Sequence, residues 1–198
     1  MSHWIDLARY VIGALLVISL PPAIAYWFIV HPFIAFWRRV GVKATSWFLG
    51  VFLVVSMVAL FPFHHALLGR DLGTSVPLIV LAVPLLVAGG IVSRKRKRHL
   101  TFQMLAGVPE LAPESAGTGL LTEGIYSRIR HPRYVEFTLA LLGWTFFANY
   151  LGLYIVTALL IVAIFVIVAL EERELRERFG QAYIDYSARV PRFIPRLR

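Results

Sequence analysis

Apolar residues in this chain come in long unbroken stretches, not in the alternation of a half-buried strand. Residues 10–30, 44–68 and 76–92 form three such stretches, each close to or above the ~20 residues needed to cross a bilayer as a helix. A shorter run at 134–148 meets another at 151–170 across Asn149 and Tyr150, which predicts a helical hairpin with a short first arm. The pattern predicts an all-α integral membrane fold of about five transmembrane helices, ending in that hairpin and an amphipathic interfacial tail. Pro21, Pro22, Pro77, Pro84, Gly89 and Gly90 fall in or beside the first and third stretches, where they should kink the helices or open space between them.

Composition sharpens this picture. Of 198 residues, 59% are apolar and 16% charged, with mean hydropathy +0.73, whereas soluble domains are roughly 45–50% apolar and ~25% charged. A separate soluble catalytic domain has no room. The chain reads as a single membrane domain, 1–198: three crossings in 1–93, a loop with a candidate cofactor motif in 94–133, the hairpin in 134–170 and a tail in 171–198. With no cysteine, disulfides, thiolate catalysis and Cys-ligated metal centres are excluded. The net charge of +9 is gathered in blocks between apolar runs, which suits anionic lipid and not a nucleic-acid partner. Arg38, Arg39, Lys43 and the run 94–98 follow the first and third crossings, so the N-terminus is expected outside, and the 93–133 loop and C-terminus in the cytoplasm. The 94–98 run reads as a headgroup anchor without chemistry, so Arg96→Ala should spare ligand binding. No metal is expected: adjacent His64 and His65 cannot share one helical face, and they read as interfacial side chains.

Two polar groupings run against physical preference. Pro132 fits the first turn of a helix, and Arg128, Arg130, His131 and Arg133 surround that helix start, where free N–H groups and the dipole favour anions. At the other end of the hairpin Glu171 and Glu172 face both an unfavourable helix C-terminus and an anionic leaflet. Glu172 and Glu174 have arginines four residues on, at 176 and 178; Glu171 has none and is left for a ligand. A hairpin that starts and ends on one side brings the two groups to one pocket, with an anion site, a cation site and apolar walls. A zwitterionic amino-acid moiety joined to an aromatic group fits it, and S-adenosylmethionine is such a molecule. Phe179, Tyr183, Tyr186 and Val190 then recur at helical spacing in the tail, an amphipathic helix placed to close the pocket, with Gly180 loosening it.

From Leu120 to Pro195 the chain resembles the isoprenylcysteine carboxyl methyltransferase family and its phospholipid N-methyltransferase relatives. The residues concerned are Gly124-Ile125-Tyr126, Arg130-His131-Pro132-Arg133-Tyr134, Glu171-Glu172, Phe179-Gly180, Tyr183, Tyr186 and Val190-Pro191. Gly117-Thr118-Gly119 is similar to a glycine pair of the phospholipid branch. The resemblance implies a membrane methyltransferase using S-adenosylmethionine, with Tyr126, Arg130, His131 and Tyr134 holding the methionine end and nearby groups, and Glu171 and Glu172 completing the site. It implies a lipid or prenylated carboxylate acceptor reached from the bilayer. A phospholipid amine is the alternative, because residues 161–170 lack the arginines that carboxyl-methylating members carry there. An NADPH-dependent membrane reductase and a non-enzymatic membrane scaffold are the competing classes. Oligomeric state is left open.

Overall fold

The computed structural model describes residues 2–98 and 119–196; Gly117 and Thr118 of the glycine segment, and with them half of the 94–133 loop, lie outside them. Helix α1 (Ser2–Val30) leads through a tight turn at His31–Phe33 into α2 (Ile34–Val40), then α3 (Val42–Leu60), a second tight turn at Phe61–Phe63, and α4 (His64–Leu68). Helix α5 (Val76–Lys97) follows, and after the 3₁₀ turn Gly124–Ser127 come α6 (Pro132–Ala148), α7 (Leu151–Phe179) and α8 (Gln181–Arg189). Both tight turns carry a proline at their second residue, where the missing N–H breaks the α-helical ladder. Four segments, His3–Val30, Val42–Leu68, Val76–Lys97 and Leu151–Phe179, are long and apolar enough to span a membrane. The fifth, α6, forms where the hairpin's short arm was expected, but its 17 residues reach only about 25 Å at 1.5 Å per residue.

Helices α1, α6 and α7 share the core. It runs from Val17, Leu68 and Leu153 at one end, through Leu20, Leu141 and Leu160, to Tyr134, Ile164, Ile167 and Val168 at the other. The buried Thr145 and Thr157 hydroxyls share a 2.7 Å hydrogen bond across the hairpin, the kind of polar link that holds helices together where lipid offers no hydrophobic drive. Val54, Val58, Val80, Leu159 and Val162 are exposed, as lipid-facing positions should be.

Of the two glycines of the third stretch, Gly90 has nothing within 4 Å of its β-carbon position, whereas Gly89 opens no space. Helix α5 runs unbroken from Val76 to Lys97, and at Gly89 a β-carbon would stand 3.4 Å from the Glu136 carbonyl on α6, while at Gly143 it would meet Leu86 at 2.7 Å. Small residues here let two backbones close up. The tightest approach is Gly152, where a β-carbon would fall 1.8 Å from the Leu67 carbonyl oxygen. Gly152→Ala must therefore push α4 from α7. Overpacking of this kind costs roughly 1–3 kcal/mol, and a lowered unfolding temperature in detergent is the expected result.

One end of the bundle is tied by Arg9, which is 1% exposed. Its guanidinium donates to the Ala148 carbonyl, Asp6, Thr74 and Asp71 and lies over the Tyr150 ring. Asn149, in the left-handed conformation at the end of α6, donates to the Gly73 carbonyl. The N-terminus, the 69–75 connection and the hairpin tip thus share one end. Nearby, the Tyr10 hydroxyl lies 2.6 Å from His64 Nε2 and 3.3 Å from His65 Nε2. The two histidines, expected to diverge, converge because α4 begins at His64 and its first turn faces α1. Among the described residues no group of three or more His, Cys, Asp or Glu is placed to hold a metal.

Candidate active site

At the opposite end, α6 begins at Pro132 as its sequence requires, with His131 as the preceding cap. The two residues before the proline are drawn to the C-terminal tail: Arg130 N–H donates to the Pro191 carbonyl at 2.9 Å and His131 N–H to the Arg192 carbonyl at 3.1 Å. Both of these amides are taken by the chain itself. The tail helix α8 starts one residue after Gly180, whose φ of 55° and ψ of −130° suit a residue without a β-carbon. Phe179 therefore belongs to α7, and the tail is not one helix with a loosened middle. Tyr183 and Tyr186 are buried, and the Tyr186 hydroxyl donates to the Tyr126 carbonyl at 2.7 Å, so the apolar face of α8 closes over the site.

The cationic group before α6 and the acidic pair of α7 meet beneath that lid. Glu172, 2% exposed, accepts from Arg130 Nη2 at 2.8 Å and from Arg192 Nε and Nη2 at 3.0 and 2.7 Å; His131 Nε2 lies 3.1 Å away. Arg130 also donates from Nη1 to the Ser187 carbonyl at 2.6 Å. The Glu172 bond keeps the Arg192 guanidinium above its ordinary pKa. Glu172 turns inward to these groups and not along its helix to Arg176, because it continues the buried stripe of Leu160, Ile164 and Val168 at four-residue spacing. Glu171 is placed differently. Its Oε2 lies 3.6 Å from His131 Nδ1, beyond hydrogen-bond reach.

Among the described residues, three buried side-chain polar atoms lack a hydrogen-bond partner: Arg130 Nε, Glu171 Oε2 and the Tyr183 hydroxyl. All three belong to this site. Burial pushes the Tyr183 phenol up to about 12, with Glu172, Arg130 and Glu171 all acting on it. Buried polar groups are normally satisfied, and a donor, an acceptor and a hydroxyl left together are complementary to a small zwitterion.

The other predicted residues divide between this site and a neighbouring cavity. Tyr134 packs its ring against Trp27 and His131 and sits in the apolar core. Arg133 leaves the cationic group and lies 4.7 Å over the Trp27 ring; Arg128 is exposed. Both Tyr134 and Arg133 line a cavity of about 300 Å³ together with Trp27, Arg96, Glu136 and Phe137. Tyr126 is near enough to both places for charges of each to act on it. Burial raises its phenol to about 12, with Arg96, Glu171, Arg133 and Glu136 as the charges acting on it. Arg96 was expected to be a plain anchor, yet it is 7% exposed and its Nε donates to Glu136 Oε2 at 2.8 Å.

Arg192, Arg96 and Glu136 escape a reading of local pattern. For Glu136 there was a signal: it is the one carboxylate inside the apolar run 134–148, and ionisable residues at such depth are costly to keep without a role. For Arg192 the hint was the unexplained need to compensate two adjacent glutamates.

The phospholipid methyltransferase family model matches residues 77–182, which holds α5, the Tyr126 turn, the hairpin and both glutamates. The chain belongs to the phospholipid methyltransferase family. Comparisons with curated proteins and with solved structures find no match. The match covers more than half of the chain and makes this a multi-pass membrane protein of a methyltransferase family. It speaks for the wider group that includes the isoprenylcysteine enzymes and not for that branch in particular.

Proposed function

We propose that this protein is a membrane-embedded methyltransferase that takes its methyl group from S-adenosylmethionine and delivers it to a lipid acceptor. The observation that carries the reading is the convergence of three unpartnered polar atoms, Arg130 Nε, Glu171 Oε2 and the Tyr183 hydroxyl, in a site otherwise closed by its own ion pairs. Arg130 and Tyr183 would hold the carboxylate of the donor's amino-acid end and Glu171 its ammonium; His131 and Glu172 fix these groups in place, and Tyr126 and Tyr134 form the wall toward the acceptor. Bound S-adenosylmethionine supplies a methyl group on a positively charged sulfur. The protein's part in an in-line displacement is to align donor and acceptor and to exclude water. The buried α8 tyrosines and the packed hairpin do the latter. No covalent nucleophile is needed. We place the site on the cytoplasmic side, since Arg38, which pairs with Glu174 at 2.7 Å, and the 94–97 end of α5 both lie at this end of the bundle.

For the acceptor, two features favour an amine over a prenylated carboxylate: residues 161–170 carry no charge, and the neighbouring cavity presents Glu136. The purified protein, incubated with a lipid extract and methyl-labelled donor, is expected to label the lipid fraction, and alkali should not release that label as methanol. Alkali-labile methanol would mean an ester and restore the carboxylate reading; an unlabelled lipid fraction would contradict methyl transfer to lipid.

A further inference from the structure

A larger cavity, of about 460 Å³, opens between the last turns of α5, the 3₁₀ turn at Gly124–Ser127 and the C-terminal tail. Among the described residues neither α1 nor α7 lines it, so it stands apart from the cavity that holds Glu136. Its walls join apolar residues to cations on two separate stretches of chain. On α5, Ile91, Val92, Lys95 and Arg98 line it; they share one helical face, with the apolar pair deeper in the helix and the cations at its end. From the 3₁₀ turn and the residues after it, Ile125 and Ile129 accompany Arg128. Ile91 is 48% exposed, and Lys95, Arg98 and Arg128 are exposed too.

The charge on this groove has one sign. Among the described residues no carboxylate lines it, whereas Arg96, the neighbour of Lys95, goes to Glu136 in the other cavity. In a bilayer an open apolar wall is covered by an acyl chain, and an acyl chain brings a head group with it to the interface. A chain lying along Ile91, Val92 and Ile125 sets its head among Lys95, Arg98 and Arg128. Basic pockets between helices at a membrane surface bind anionic heads in this way. We infer that this groove is a seat for an anionic phospholipid, distinct from the places proposed for donor and acceptor. The seated lipid touches the turn that carries Tyr126, through Ile125, and the tail, through Phe193 and Pro195, and so braces the site from outside. A diffuse attraction of the basic run to lipid would draw equally on Arg94 and Lys97; the groove draws on Lys95, Arg98 and Arg128.

The test presents full-length protein in detergent with equal amounts of dioleoyl phosphatidylglycerol and dioleoyl phosphatidylcholine and reads the retained lipid by native mass spectrometry. Wild type should keep the glycerol lipid by about tenfold or more, as expected for three cations near one anionic head. Lys95→Gln with Arg128→Gln should bring the ratio to about two or less. Arg94→Gln with Lys97→Gln removes the same net charge and should leave the ratio as in wild type. Arg128→Gln alone serves if the first pair does not fold, and it should lower the ratio about fivefold. Glycerol 3-phosphate in excess should not displace the lipid. Equal retention of both lipids by wild type, which a groove filled by the chain's own residues 99–118 would also give, overturns the inference. So does an unchanged preference in the Lys95 and Arg128 variants, an equal loss in the Arg94 and Lys97 pair, or displacement by glycerol 3-phosphate. None of these results depends on the methyl donor, whose binding is read separately with S-adenosylhomocysteine.

Discussion

Glu172→Gln is expected to be the most destabilising single change at the site. The carboxylate is the common anion for Arg130, Arg192 and His131, and through them it fastens the start of α6 and the C-terminal tail to α7. Glutamine keeps the shape and removes the charge, which leaves the buried Arg130 guanidinium and the half-exposed Arg192 guanidinium facing a neutral amide. Removing one partner of a buried pair costs about 3–5 kcal/mol, or roughly 6–20 °C in unfolding temperature for a chain of this size. A thermal unfolding curve in detergent measures it. A shift of a degree or two would mean that the tail is held chiefly by its backbone bonds to Arg130 and His131 and by the buried tyrosines.

At the adjacent residue the opposite outcome is expected. Glu171→Gln should leave the unfolding temperature close to that of wild type, since Oε2 has no hydrogen-bond partner to lose and its side chain, part exposed, stands 3.6 Å from His131 Nδ1 without bonding it. Its effect should fall on the ligand. A charge-assisted hydrogen bond to an ammonium is worth about 1.5–3 kcal/mol, so affinity for S-adenosylhomocysteine should drop by about tenfold to a hundredfold. Two neighbouring glutamates thus separate into one that holds the protein and one that holds the ligand. The division follows from their places on α7: Glu172 extends the buried stripe, and Glu171, one residue away, points past it to the space beside His131.

The long helices were legible because a run of some twenty apolar residues has few other fates, and the start of α6 because proline tolerates little else. Asn149 at the hairpin tip was legible as a break, and it adopts the left-handed conformation that ends α6. Periodicity does not encode pairing between residues far apart in sequence. Arg192 joins Glu172 across a turn of chain that reverses at Gly180; Arg96 reaches Glu136, 40 positions further on; Arg9 is buried among groups from the 69–75 connection and the hairpin tip. Of the three only Arg96 was read from the sequence, as part of a headgroup anchor, because sequence alone gives an arginine's position along the chain and not the carboxylate that burial brings to it. The expected pairing of Glu172 with Arg176 had the right spacing, but the core side of α7 offered two guanidinium groups and an imidazole together. The same helical register, read as a continuation of Leu160, Ile164 and Val168, would have pointed inward.

The central claim is that the unpartnered groups around Glu171 receive the zwitterionic end of the methyl donor. Calorimetric titration of S-adenosylhomocysteine into wild type and Glu171→Gln, with NADPH titrated in parallel, tests it most directly. The account predicts saturable binding to wild type, a tenfold or greater loss in the variant, and no heat from NADPH. Equal affinity in both proteins, or binding of NADPH in place of S-adenosylhomocysteine, would contradict it.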